Sequence, residues 1–269
     1  MTTLRRDSLR ILLVTDPATK AAETLGMDQD LPVGETERIP EPPGVPGRPA
    51  RPQLVPPAAL QNRSVAHREG RGALLHALAH IELNAVNLAL DLVWRFDGMP
   101  AAFYREWLSV ARDEARHFNL LRAHLRSLGF AYGDFPAHDG LWEMAERTKH
   151  DLLARLALVP RTLEARGLAA SPAIRQKLLG VGDVEGASIL DVILHDEIGH
   201  VRLGNTWFRE LCRQRGLDPV DTYAALARTH RAPRLRGPFN LEARRAAGFE
   251  PDELAFLTAQ QDRVEKSRG

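Results

Sequence analysis

The 269 residues are 44% hydrophobic and carry 36 basic and 35 acidic side chains, enough to bury one substantial core, while two full domains would be a stretch. A formal charge of +1 excludes a protein that coats nucleic acid along its whole length, so any basic surface must be local. The single cysteine, Cys212, excludes an internal disulfide framework and metal sites built from several thiolates, rubredoxin and zinc-finger types among them.

The first thirty residues have room for a short helix. Their apolar run, Ile11 to Val14 behind Arg5, Arg6 and Arg10, is too short for the apolar region of a signal peptide. From Pro32 to Pro57 prolines and glycines recur too often for a helix or a central strand, which predicts an extended arm, docked or solvated. From about Ser64 the chain turns to alanine, leucine and charged residues at helical spacing and stays so to about Arg215. A first long helix is expected from about Ser64 to Phe96, ending at Gly98 and Pro100, and a second from about Ala101 to Leu128, capped by Gly129. A loop holding Tyr132, Gly133 and Pro136 precedes a third helical region, expected from Leu141 to Arg166 and closed by Gly167. Ser171 and Pro172 predict the cap and first turn of a short helix to Leu179, and a fourth long helix is expected from Val184 to Arg215. No strand alternation interrupts this core. The chain therefore divides into residues 1–63, a segment with the proline-rich arm; 64–216, a helical bundle; and 217–269, a C-terminal extension. Asn84, Asn87 and Asp91 interrupt the best membrane-span candidate, so the expectation is a soluble, cytoplasmic protein with no membrane partner.

Two segments on different predicted helices share the pattern Asp-Glu-x-x-His: Asp113 to His117 and Asp196 to His200. On a helix, a Glu and a His three positions apart project from one face, so a single ion can meet both. One such pair arises often by chance, whereas two on separate helices carry weight. Each is preceded by a single glutamate, Glu82 by 32 residues before Glu114 and Glu164 by 33 before Glu197, a near-equality that suggests two related helix pairs. Glu82 lies on an apolar stripe with Leu78, Ala79, Ala85, Val86 and Ala89, where a lone carboxylate is costly and metal ligation would offset the cost. Glu164 sits near a helix end, where an ion pair with Arg161 competes with ligation. The candidate ligand set is Glu82, Glu114, His117, Glu164, Glu197 and His200. It matches the carboxylate di-metal bundles, in which each of two helices gives one Glu and each of the other two gives Glu-x-x-His. Four carboxylates with two imidazoles suit iron first and manganese as the alternative, rather than zinc or copper. Asp113 and Asp196 are placed to receive the second ring N–H of a liganded histidine, or else are exposed helix residues. Core or surface roles are assigned to His76, His80 and His195, His124 is near the His117 face, and the four tryptophans read as packing.

With these motifs in view, the chain resembles the ferritin-like superfamily and, within it, a bacterial family catalogued as domain of unknown function 455. The likeness runs from about Arg48 to Glu253 through His80 to Asn84, Asp113 to Phe118, Leu163 to Gly167, Asp196 to Val201 and Pro238 to Asn240. It implies an all-α, ferritin-like four-helix bundle and a di-metal site on the named Glu and His positions, and it carries no established reaction. Val159 to Gly167 is also similar to part of the bacterial tRNA hydroxylases of the superfamily. Ribonucleotide reductase small subunits place a radical tyrosine one turn after the first Glu-x-x-His, where this chain has Leu121. Peroxidases of the rubrerythrin type need cysteines that are absent, and a storage cage has no need of the arm or the tail. The leading expectation is thus a di-iron oxidoreductase that activates O₂, drawing on an external electron donor, to hydroxylate or desaturate an unidentified substrate. The alternatives are a ferroxidase that handles iron and a helical binding protein with a structural metal pair. A monomer or small homo-oligomer is expected. The basic run Arg228, His230, Arg231, Arg234 and Arg236 is a solvated linker or an anchor for an anionic substrate such as tRNA or a phosphorylated metabolite.

Overall fold

A computed structural model describes residues 2–61, 63–233, 235 and 237–266, with side chains through 259. It is all-α: among the described residues there is no strand, only an isolated bridge between Leu54 and Ala137. The chain forms two compact units. The first comprises Met1–Trp142 with Lys177–Ile189, the second Glu143–Gln176 with Leu190–Gly269.

The first unit opens with helices α1 (Leu4–Leu12) and α2 (Pro17–Gly26). The Thr3 side chain caps α1 by accepting from the Arg6 amide, and Asp16 caps α2 by accepting from the Thr19 amide at 2.8 Å, with Pro17 in the first turn. Helices α3 (Arg68–Arg95) and α4 (Ala101–Ser127) pair along their length. The turn between them is made at Gly98, whose φ of +80° a side chain would resist. Every residue of α3 from 82 to 94 is buried, because α4 covers one side and α1 another. That burial resolves the polar interruptions in the sequence. Asn84 donates to the His80 carbonyl at 2.9 Å, Asn87 accepts from Lys20 Nζ at 2.7 Å, and Asp91 pairs with Arg95 at 2.8 Å. In length and composition α3 is apolar enough to cross a membrane, and 78% of its most apolar stretch is buried inside the protein.

The proline-rich arm is docked. The Gly47 amide donates to Leu12 O at 2.9 Å, Lys20 Nζ donates to Gly47 O at 2.9 Å, and Arg48 forms a two-pronged ion pair with Asp139 at 3.0 and 2.6 Å. Farther on, the Val55 amide donates to Ala137 O at 2.8 Å and the Ala137 amide to Gln53 O at 3.0 Å. Gly47 permits the approach, since a Cβ there would lie 2.1 Å from Leu13 O.

The expected helix over 141–166 is broken into pieces. Helix α5 (Gly140–Arg147) stops, and α6 (Leu152–Leu158) restarts because Asp151 accepts from the amides of Leu153 and Ala154 at 2.9 and 3.3 Å. Pro160 has no N–H to continue the α ladder, and the chain widens into a π turn, Val159–Leu163, in which Thr162 Oγ1 donates to Ala157 O five residues back at 2.7 Å. A 3₁₀ turn, Glu164–Arg166, leads into α7 (Gly167–Gly180). Gly167 therefore begins a helix where the sequence reading has it end one, and Pro172 lies inside α7 instead of opening a new helix at Ser171. Helix α8 (Val184–Gln214) follows close to expectation. In the second unit, α9 (Pro219–Thr229), α10 (Leu241–Ala246) and α11 (Pro251–Lys266) give the C-terminal extension a helical structure. There Val201 of α8 shares a core with Leu168, Ala247, Phe249 and Leu257.

Candidate metal centre

In the first unit, Glu82 projects from the buried stretch of α3, and Glu114 and His117 project from one face of α4, one turn apart. One ligand-capable atom from each of the three lies within 4.8 Å of the others. His117 Nδ1 is 3.3 Å from both Glu82 Oε2 and Glu114 Oε2. Glu82 is 4% exposed, Glu114 and His117 0%. Burial, and then the charge of Glu114, push the Glu82 carboxyl up to about 8. Burial works against a charged His117, but hydrogen bonds and charge from Glu114 and Glu82 prevail and raise it to about 11. The two carboxylates, shut away from water, thus hold together around protons kept on Glu82 and His117. A divalent cation bound to the same oxygens and imidazole would replace those protons, so the donor set fits a metal.

Beside this group a polar network, invisible to helical spacing, reaches in from the loop after α4. Tyr132 Oη lies 2.8 Å from His80 Nδ1, His80 Nε2 lies 3.0 Å from Asn84 Nδ2, and the Tyr132 ring stacks on His76 at 5.1 Å and meets Phe118 edge-on at 5.3 Å. Burial drives His76 and His80 down to about 4, so both are neutral imidazoles, and burial raises the Tyr132 phenol. Tyr132 lies 14 residues beyond Phe118 in an irregular loop, and helical spacing is silent about such a position.

The remaining candidates are placed as follows. In the second unit, Glu197 and His200 are buried one turn apart on α8, with ligand-capable atoms within 4.8 Å of each other. Glu164 is half-buried at the start of the 3₁₀ turn. Asp113 pairs with Arg116 at 3.2 Å, and Asp196 is half-buried on α8. His124 is engaged by Asp183 at 2.8 Å, and His195 is exposed. Arg161 forms its ion pair with Glu253 of α11. Trp94, Trp107 and Trp142 are buried packing residues, whereas Trp207 is only partly covered. Of the basic run, Arg228 and Arg231 are exposed, while Arg234 and Arg236 lie outside the described residues.

Fold and site together define an all-helical protein with buried carboxylate and imidazole groups able to hold a metal ion. Residues 13–255 match the family described as "Protein of unknown function (DUF455)", and the chain belongs to it. It is similar to an "Uncharacterized protein" of Haemophilus influenzae, 48% identical over 216 residues that cover 78% of this chain and 75% of the relative. No solved structure matches.

Proposed function

We propose that the chain is a ferritin-like four-helix protein that binds two metal ions, iron in preference to manganese, and serves as an O₂-dependent oxidoreductase supplied with electrons by an external donor. The observation that carries this reading is the buried Glu82, Glu114 and His117 group, for which bare packing offers no stabilisation. The second Glu-x-x-His, Glu197 and His200, repeats the motif on another helix and is likewise buried. With Glu164 these complete the six ligands proposed, and Asp113 and Asp196 are proposed to orient the ligating histidines. Once bound, the metal pair would supply O₂ activation, with hydroxylation or desaturation of an organic substrate as the reaction class. The chain's own side chains exclude water, and His80, Asn84 and Tyr132 brace α3 next to Glu82 through their hydrogen bonds.

The test is anaerobic loading with ferrous iron, metal analysis, and optical spectroscopy on exposure to O₂. About two ions per chain are expected, and Glu114→Ala should retain fewer than half as many. Oxidation that stops after one stoichiometric round supports an oxidoreductase awaiting substrate. Accumulation of ferric iron far beyond the site stoichiometry in a large assembly would favour the ferroxidase reading. Protein of native helicity that takes up neither iron nor manganese would refute the site.

A further inference from the structure

In the second unit, α9 turns Tyr223, Ala224 and Ala227 toward Phe256 and Ala259 of α11, and the chain leaving α9 closes the space with Ala232 and Leu235. The alanines leave a groove of about 410 Å³, a size that accommodates small molecules. Tyr223, Leu235 and Phe256 also line a smaller apolar cavity that continues inward to Phe249 and Leu257. The groove is thus apolar at depth, and its exposed rim carries Arg228 and Arg231. Neither arginine has a carboxylate partner among the described residues.

Behind the groove the charge is unbalanced in the same sense. Arg161 and Arg244 are 4% and 1% exposed, both guanidinium groups lie within 5.3 Å of the Phe249 ring, and the buried carboxylate of Glu253 pairs with Arg161 and is shared with Arg209 at 3.2 Å. The Nε and Nη1 atoms of both arginines have no hydrogen-bond partner. Positive potential in a poorly solvated wall reaches farther than it would in water. Arg231 is also held at a backbone cost. It occupies the position after the α9 cap with φ +50°, its amide bonded to Arg228 O at 3.2 Å and the Ala232 amide to Ala227 O at 2.8 Å. That is the Schellman arrangement, in which this position is usually glycine.

We propose that this groove binds an amphipathic organic anion, its apolar body between α9 and α11 and its acid group at Arg228 and Arg231. The proposal stands independently of the metal reading.

Titration calorimetry on the full chain with decanoate tests it, with decanol and acetate as controls. Decanoate should bind once per chain, decanol at least about tenfold more weakly and acetate not detectably. Ala227→Trp, which fills the groove, should abolish binding. Arg231→Gly should weaken decanoate about tenfold while raising the melting temperature, because glycine removes the left-handed strain. A residue that only shaped the α9 cap would leave binding unmoved. Equal affinity for decanoate and decanol, or full binding by the Ala227→Trp protein, would overturn the proposal. So would a failure of decanoate to bind wild type alongside an RNA oligonucleotide whose affinity drops in Arg228→Ala.

Discussion

Lys20 offers a sharp test of the packing around α3. Its side chain is 2% exposed and hydrogen-bonded only to neutral oxygens, Asn87 Oδ1 at 2.7 Å and Gly47 O at 2.9 Å. Burial, and then the charge of Arg48, lower its pKa from 10.5 to about 7. Between those values the unfolded chain carries close to one proton more than the fold at this position, so stability rises with pH by up to ~1.36 kcal/mol per unit. Integrated from about pH 7.5 to about pH 9.5, the gain is about 2.5 kcal/mol. Lys20→Met removes the titration. It also leaves two acceptors without a donor, but that penalty does not depend on pH. Urea melts of both proteins, followed by tryptophan fluorescence across this range, isolate the term: every other titrating group is common to both, and only the difference matters. The stability of wild type relative to Lys20→Met should climb by about 2.5 kcal/mol as pH rises. Parallel curves would show that the ammonium is not desolvated and that the arm does not cover α2 as described.

His76, whose pKa is lowered from 6.5 to about 4 by burial, stabilises the fold as a neutral imidazole above pH 6.5, and that contribution is lost as the pH falls toward 4. Wild type should lose about 3 kcal/mol over this window that His76→Gln does not lose, measured as the difference in their acid unfolding curves. Gly47→Ala drives a methyl group into Leu13 O and should destabilise by about 2 kcal/mol, with limited proteolysis cutting the arm before the helices. Glu253→Ala leaves Arg161 buried without its carboxylate and should lose about 3–5 kcal/mol in denaturant melts, whereas Glu210→Ala, at a solvated surface pair, should melt close to wild type.

The long helices were legible because each keeps alanine, leucine and charged residues at helical spacing up to a clear stop: the observed ends of α3, α4 and α8 fall within a few residues of those expected. The third helical region was misread where the deciding interactions are local. Asp151 caps a new helix in a stretch whose composition is helical throughout, and Pro160 widens the chain into a π turn inside the expected helix. Glu82, Glu114 and His117 could be found because spacing of three on a helix and a carboxylate within an apolar stripe are both visible in one dimension. Tyr132 could not, since it lies in an irregular loop and meets His76 and His80 only because that loop folds back on α3. The docking of the arm was equally hidden, because a main-chain bond such as that of Val55 could come from any residue but proline, and the close approach at Gly47 is only one of the uses a glycine can have.

The burial of α3 bears on how the chain is made. A helix this long and apolar would be an aggregation hazard if it left the ribosome before anything could shield it. Here α1, α2 and the arm precede α3 in the chain, and α1 packs directly on α3 while Lys20 of α2 meets Asn87. Part of the cover is already waiting when the helix emerges, and the rest arrives with α4, its immediate successor in the chain. Moving residues 1–63 to the C-terminus by circular permutation would keep the composition and reverse that order, leaving α3 bare while the remainder is translated.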